Sequence, residues 1–125
     1  MTKLSVTQFS GRDDAERYYL AQADSLAEKA RSQFLTPGSG QAATYEAKYQ
    51  EALSGGGPFL EAEAEALGVS VETVAASVIA AREKCRGKEV VIEKARAGAK
   101  QRVRRASTAA DMHRIVKAFS EELSA

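Results

Sequence analysis

Arg96, Lys100 and Arg104 recur at every fourth residue, an interval that stacks side chains on one face of a helix. Three cations so aligned suit a phosphate backbone or an acidic protein surface. They lie in the stretch Arg82 to Arg105, which holds ten Lys or Arg against three Glu (Glu83, Glu89 and Glu93). No aromatic residue interleaves these charges, so stacking on single-stranded bases has no support. The competing reading of the stripe is a solvated face opposite a run of alanines. Tyr45 and Tyr49 also stand four apart, and a large apolar body with a polar tip suits either a core position or an interface anchor. His113 is the only histidine and Cys85 the only cysteine. One of each, with no carboxylates clustered around them, suggests neither a metal site nor a nucleophile–base pair. The glycine runs at Gly38-Ser39-Gly40 and Gly55-Gly56-Gly57 match no nucleotide-binding fingerprint and follow no strand, so both read as linkers. No set of base, orienter and stabiliser can be assembled, and no catalytic, cofactor-binding or metal-ligating residue is nominated. The expectation is a protein without enzymatic activity or cofactor, with Arg96, Lys100, Arg104, Tyr45 and Tyr49 as partner-binding candidates.

The elements that must position these residues are helices. At 125 residues the chain is long enough for one domain with a real core. Much of its 44% hydrophobic content is alanine and only 6% is aromatic, which suits helices packed through small side chains. A lone cysteine allows no internal disulfide and points to a reducing compartment. No stretch approaches the ~20 apolar residues of a membrane span, and the first residues carry no signal-type apolar run. A soluble protein of the cytosol, or one assembled there, is expected. The net charge of +1 conceals an asymmetry. Residues 1–65 carry 6 basic and 10 acidic residues, a net of −4, and residues 66–125 carry 12 and 7, a net of +5. Such polarity can support head-to-tail association or attraction to an anionic partner.

Leu4 to Phe9 alternates briefly and reads as a short strand, a docking arm or a frayed terminus; residues 1–12 form an N-terminal arm, and residues 13–125 a single helical domain. Asp13 or Asp14 is expected to cap a helix running from about Ala15 to Phe34, with Tyr19, Ala23, Leu26, Ala30 and Phe34 on one face. Thr36-Pro37-Gly38-Ser39-Gly40 breaks it, because proline removes a donor and restricts the residue before it. A second helix starts near Gln41 with Ala42, Tyr45, Tyr49 and Ala52 on one face. So short a linker favours an antiparallel hairpin of the two, with Tyr18 and Tyr19 facing Tyr45 and Tyr49 across it. Pro58 opens a helix that ends at Gly68, and Ser70 caps the next, with Val71, Val74, Ala75, Val78 and Ile79 at helical spacing. Gly87 marks a kink or break, after which Ile92, Ala95, Ala99, Val103 and Ala106 continue as a thin stripe. Ser107 or Thr108 caps a last helix whose apolar face is Met112, Ile115, Val116, Phe119 and Leu123. The class is all-α: a helical hairpin plus further helices, four to six in all, in a small bundle or open array.

Ala64, Gly68 and Val74 hold the spacing of a helix-turn-helix unit: a small residue at the crossing, a glycine in the turn, an apolar residue beyond. A recognition helix needs Arg, Lys, Asn or Gln aimed at bases. Here the exposed candidates are Glu72, Thr73, Ala76 and Ser77, and Leu60 to Glu83 holds five acidic residues and one basic. Phosphate would be repelled, so a helical corner without DNA is expected.

The order Thr36 to Gln41 (TPGSGQ), Tyr45 to Ala52 with Lys48 and Glu51, Pro58 to Gly68, and Ile92-Glu93 resembles a group of small all-helical bacteriophage proteins associated with tail and tail-fibre genes. The resemblance covers roughly residues 15–106. Lys84-Cys85-Arg86 stands where members often carry an aromatic, and Met1 to Arg12 has no counterpart. The resemblance implies a structural or assembly accessory protein of the tail region, acting by protein–protein contact. It would be located in the virion, or in the host cytoplasm during assembly. Its partners would be other phage structural proteins and, through alanine-rich stripes, further copies of itself; no membrane is implied. The alternatives are a small nucleic-acid-binding regulator using the basic C-terminal half, which is not favoured, and a phage-encoded inhibitor of a host protein.

Overall fold

The computed structural model describes residues 9–35 and 38–125 and is all-α, as expected. Among the described residues there are five helices: α1 (Arg12–Ser32), α2 (Ser39–Ser54), α3 (Pro58–Leu67), α4 (Val71–Arg105) and α5 (Ala109–Ser124). The strand or arm read over Leu4 to Phe9 lies outside the described residues apart from Phe9, as do Thr36 and Pro37 of the first breaker. The segment read as one helical domain comprises two compact units. One contains residues 9–33 and 89–125, the other Phe34–Lys88.

In the first unit, α1 buries Ala15, Tyr19, Ala23 and Ala27, a stripe with a strict interval of four. Ala15, Tyr19, Val103, Met112 and Val116 form one cluster, and α1 packs on α5. Of the face expected for α1, Tyr19 and Ala23 are buried, Leu26 and Ala30 half-buried, and Phe34 falls beyond the helix end. The alanines win the core positions because short side chains let the helices approach closely. The α5 stripe is as read, with Met112, Val116 and Phe119 buried. Thr108 caps it, its hydroxyl accepting from the Asp111 backbone N–H at 3.1 Å.

The cap expected for α1 is corrected. Gly11 occupies the N-cap position, and Asp14 instead reaches back to accept from the Ser10 N–H at 3.3 Å. Asp13 and Asp14 still sit in the first turn, where a carboxylate complements the helix dipole. At the same end of α1, Arg12 donates to the carbonyls of Arg104 (2.6 Å) and Ala106 (2.9 Å), so a guanidinium closes the C-terminus of α4.

In the second unit, Ala52, Leu60, Ala64 and Val74 form the core, with Val71, Ala75, Val78 and Ile79 packed around them. α2 thus pairs with α3. The Glu51 carboxylate caps α3, accepting from the backbone N–H groups of Leu60 (3.0 Å) and Phe59 (3.3 Å). Pro58 stands at the start, where its missing N–H costs nothing. Gly68, at φ +68°, closes the helix: Val69 donates to the Ala64 carbonyl at 3.0 Å and Gly68 to that of Glu65 at 3.3 Å. This left-handed closure wants glycine. Ser70 then caps α4 through the Thr73 N–H at 3.1 Å, and α3 and α4 meet at 108°, the helical corner expected.

The break expected at Gly87 is absent, and α4 runs unbroken through it. One glycine costs a helix only about 1 kcal/mol, which 35 hydrogen-bonded residues with packed stripes at both ends absorb. A β-carbon at Gly87 would meet nothing within 4 Å. Gly87→Ala should therefore stabilise the protein by about 0.5–1 kcal/mol in urea unfolding. A destabilised variant would mean that the helix is interrupted there.

Candidate functional site

The sequence nominated a cationic stripe and a tyrosine pair, and the structure gives each a local setting. Arg96 and Lys100 project from α4 onto one carboxylate of α1. Asp24 accepts from Arg96 Nε at 2.8 Å and from Lys100 Nζ at 3.0 Å through both of its oxygens. Arg96 also donates to Glu93 at 2.9 Å, and Arg31 lies 4.0 Å from the same glutamate. Arg31 pairs with Glu28 as well, so three cations meet three carboxylates, and the local field that would draw a phosphate is largely cancelled. Arg104, the third member, is exposed and forms no ion pair among the described residues.

Partial burial pushes Asp24 upward, but hydrogen bonds from Lys100 and Arg96 outweigh it and hold the carboxyl below its ordinary value. The Asp24 hydrogen bond in turn raises Arg96. Because the folded Asp24 titrates below the unfolded one, its contribution is complete above the unfolded value, about pH 3.9, and fades as pH falls through the folded value. At 46% side-chain exposure, solvent screens the pairs to about 1 kcal/mol.

Tyr45 and Tyr49 differ from each other. Tyr49 is half-buried beneath Arg82, whose guanidinium sits 4.2 Å from the ring centroid and is held by Glu46 at 2.8 Å. Hydrogen bonds from Gln50 and Arg82 depress the Glu46 carboxyl. Tyr45 is 46% exposed, with Lys48 Nζ 5.4 Å from its ring centroid; Lys48 is also paired with Glu63. The facing expected of Tyr18 and Tyr19 against this pair would join residues of different units, and each pair has its setting within its own. Tyr18 and Tyr19 belong to the first unit, where they stack with Phe9 at 5.4 and 5.6 Å. Burial, with a smaller contribution from Tyr18, pushes the Tyr19 hydroxyl above its ordinary value, and this hydroxyl lies 3.4 Å from His113 Nδ1. His113 is otherwise exposed, and Cys85 is half-buried on α4.

Two features escaped the sequence reading. Leu60, Ala64 and Leu67 occupy one face of α3 at intervals of four and three; the first two are buried, whereas Leu67 is 63% exposed. The apolar stripe therefore runs past the edge of its own core, and Leu53, Phe59 and Val69 are bare as well. The second is an open hollow of about 390 Å³ where α4 meets α5, lined by Arg102, Arg105, Ala106, Asp111, Arg114 and Ile115. Its arginines lie off the four-residue register and on two helices, so no spacing rule groups them. Among the described residues, no single helix is long and apolar enough to cross a membrane.

Comparison with protein-family models, curated proteins and solved structures returned no match for this chain.

Removing the Asp24 charge tests the assignment of the stripe. Asp24→Asn should lower stability at pH 7 by about 1 kcal/mol and flatten the loss of stability below pH 4, read from urea midpoints across pH. An unchanged acid limb would show that Asp24 does not hold these cations in solution.

Proposed function

We propose that this chain works by protein–protein contact, as a structural or assembly accessory of a bacteriophage tail. The observation that carries the contact reading is the bare end of the α3 stripe. A leucine on the same face as two buried core residues, yet 63% exposed, is an unfinished core position that a partner can complete. Phe59 on α3 and Leu53 at the end of α2 add apolar area in the same unit, and Tyr45 offers an amphipathic anchor. The neutralised Arg96–Lys100 face supports contact through apolar surface rather than attraction to phosphate. The tail setting rests on the resemblance of the Thr36–Gln41 turn and the helices after it to the phage group.

Burying such residues on a partner makes them the points where truncation or charge hurts most. Mass spectrometry of particles from a phage encoding this chain should find it in stoichiometric amount. Leu53→Glu with Leu67→Glu should retain the helical circular-dichroism signal yet fall by about tenfold or more in particles. A chain missing both from particles and from their assembly intermediates would refute the tail role.

A further inference from the structure

We propose that the arginine-lined hollow at the α4–α5 junction seats the α3–α4 corner of a second copy of this chain. This rests on the contact-making reading and names its partner. The hollow is a shallow depression open to solvent. It also carries an excess of positive charge. Arg102, Arg105 and Arg114 line it against one carboxylate, Asp111, which is already paired with Arg114. Arg105 can donate to the Gln101 amide oxygen at 3.0 Å, a neutral partner that leaves its charge uncompensated. Arg102 forms no ion pair among the described residues, and Ala106 and Ile115 supply apolar lining.

The corner has the opposite character. Leu67 and Val69, 63% and 42% exposed, flank Gly68 in the turn. Glu65 and Glu72 stand to either side, both exposed and neither in an ion pair among the described residues. From Leu60 to Ala81 the chain carries no Lys or Arg. The two hydrogen bonds that close the turn around Gly68 fix the display of Leu67 and Val69, so little conformational freedom is lost on docking. An apolar tip between carboxylates thus matches an apolar-lined recess between guanidiniums, and guanidinium–carboxylate pairing adds directional hydrogen bonds. The contact joins unlike surfaces, so each docked copy still offers one of each to the next.

Sedimentation velocity over a concentration series tests this with a reciprocal charge exchange. The wild-type chain should self-associate, and added salt should weaken the association. Arg102→Glu with Arg105→Glu, and separately Glu65→Arg with Glu72→Arg, should each weaken self-association at least about 100-fold, because like charges then face one another. Mixing the two variants should restore it, since each hollow again meets a corner of opposite charge; neither a misfolded variant nor a general charge effect can produce that rescue. A wild-type chain that stays monomeric overturns the proposal, as does association that survives both reversals or a mixture that does not re-associate. Binding of an acidic protein or duplex DNA to a monomeric chain would equally assign the hollow elsewhere. A monomer that still co-purifies with phage particles would defeat this contact alone, whereas an oligomer absent from particles would defeat the tail role alone.

Discussion

The Asp24 carboxylate accepts three hydrogen bonds from two cations that follow it by 72 and 76 residues. That convergence ties α1 to α4 and settles the electrostatic character of the first unit. A stripe of Arg96, Lys100 and Arg104 in isolation is a phosphate-binding face. With Asp24 and Glu93 against it, its first two members serve as internal braces. Each pair is weak because it is partly solvated. Their number and convergence matter more here than their individual strength. The surfaces this leaves open for the proposed contacts are the exposed apolar side chains and the arginines off that register.

Packing and function connect through the small residues. Ala15, Ala23, Ala27 and Ala99 are fully buried, which lets helices approach closely but buries little apolar area per residue. A core built this way depends on a few large side chains, and Leu60, Val103, Met112 and Phe119 are the ones fully enclosed. Against that background, Leu53, Phe59 and Leu67 left in water are a substantial share of the large apolar residues. The proposed contact with a partner would bury them.

Much of the fold was legible because its signals are local. Pro58 at a helix start, the left-handed Gly68, and the Ser70 and Thr108 caps each follow from the stereochemistry of a few adjacent residues. The α5 stripe was equally clear, since Met112, Val116 and Phe119 are large and regularly spaced. Partner choice was not legible. An amphipathic stripe specifies that a face is buried but not which helix covers it, and nothing in the α1 stripe names the distant α5 as its cover. Gly87 was over-read for a related reason: a glycine weakens a helix without ending one, and only the residues around it decide. The site was less legible than the fold. Four-residue spacing found Arg96 and Lys100 but could not reveal that a carboxylate on another helix pairs with both, and the hollow draws on residues that share no spacing at all.

If the cationic stripe is an internal brace, the proton on Asp24 must feel it. The ionisation of Asp24, followed through its side-chain carboxyl carbon by NMR as pH is lowered, probes that directly. A midpoint below that of an ordinary aspartate, with the Arg96 Nε–H signal shifting in step, is the result this account predicts. An Asp24 that titrates like a free aspartate, with Arg96 unmoved, would contradict it and return the basic stripe to the list of available binding surfaces.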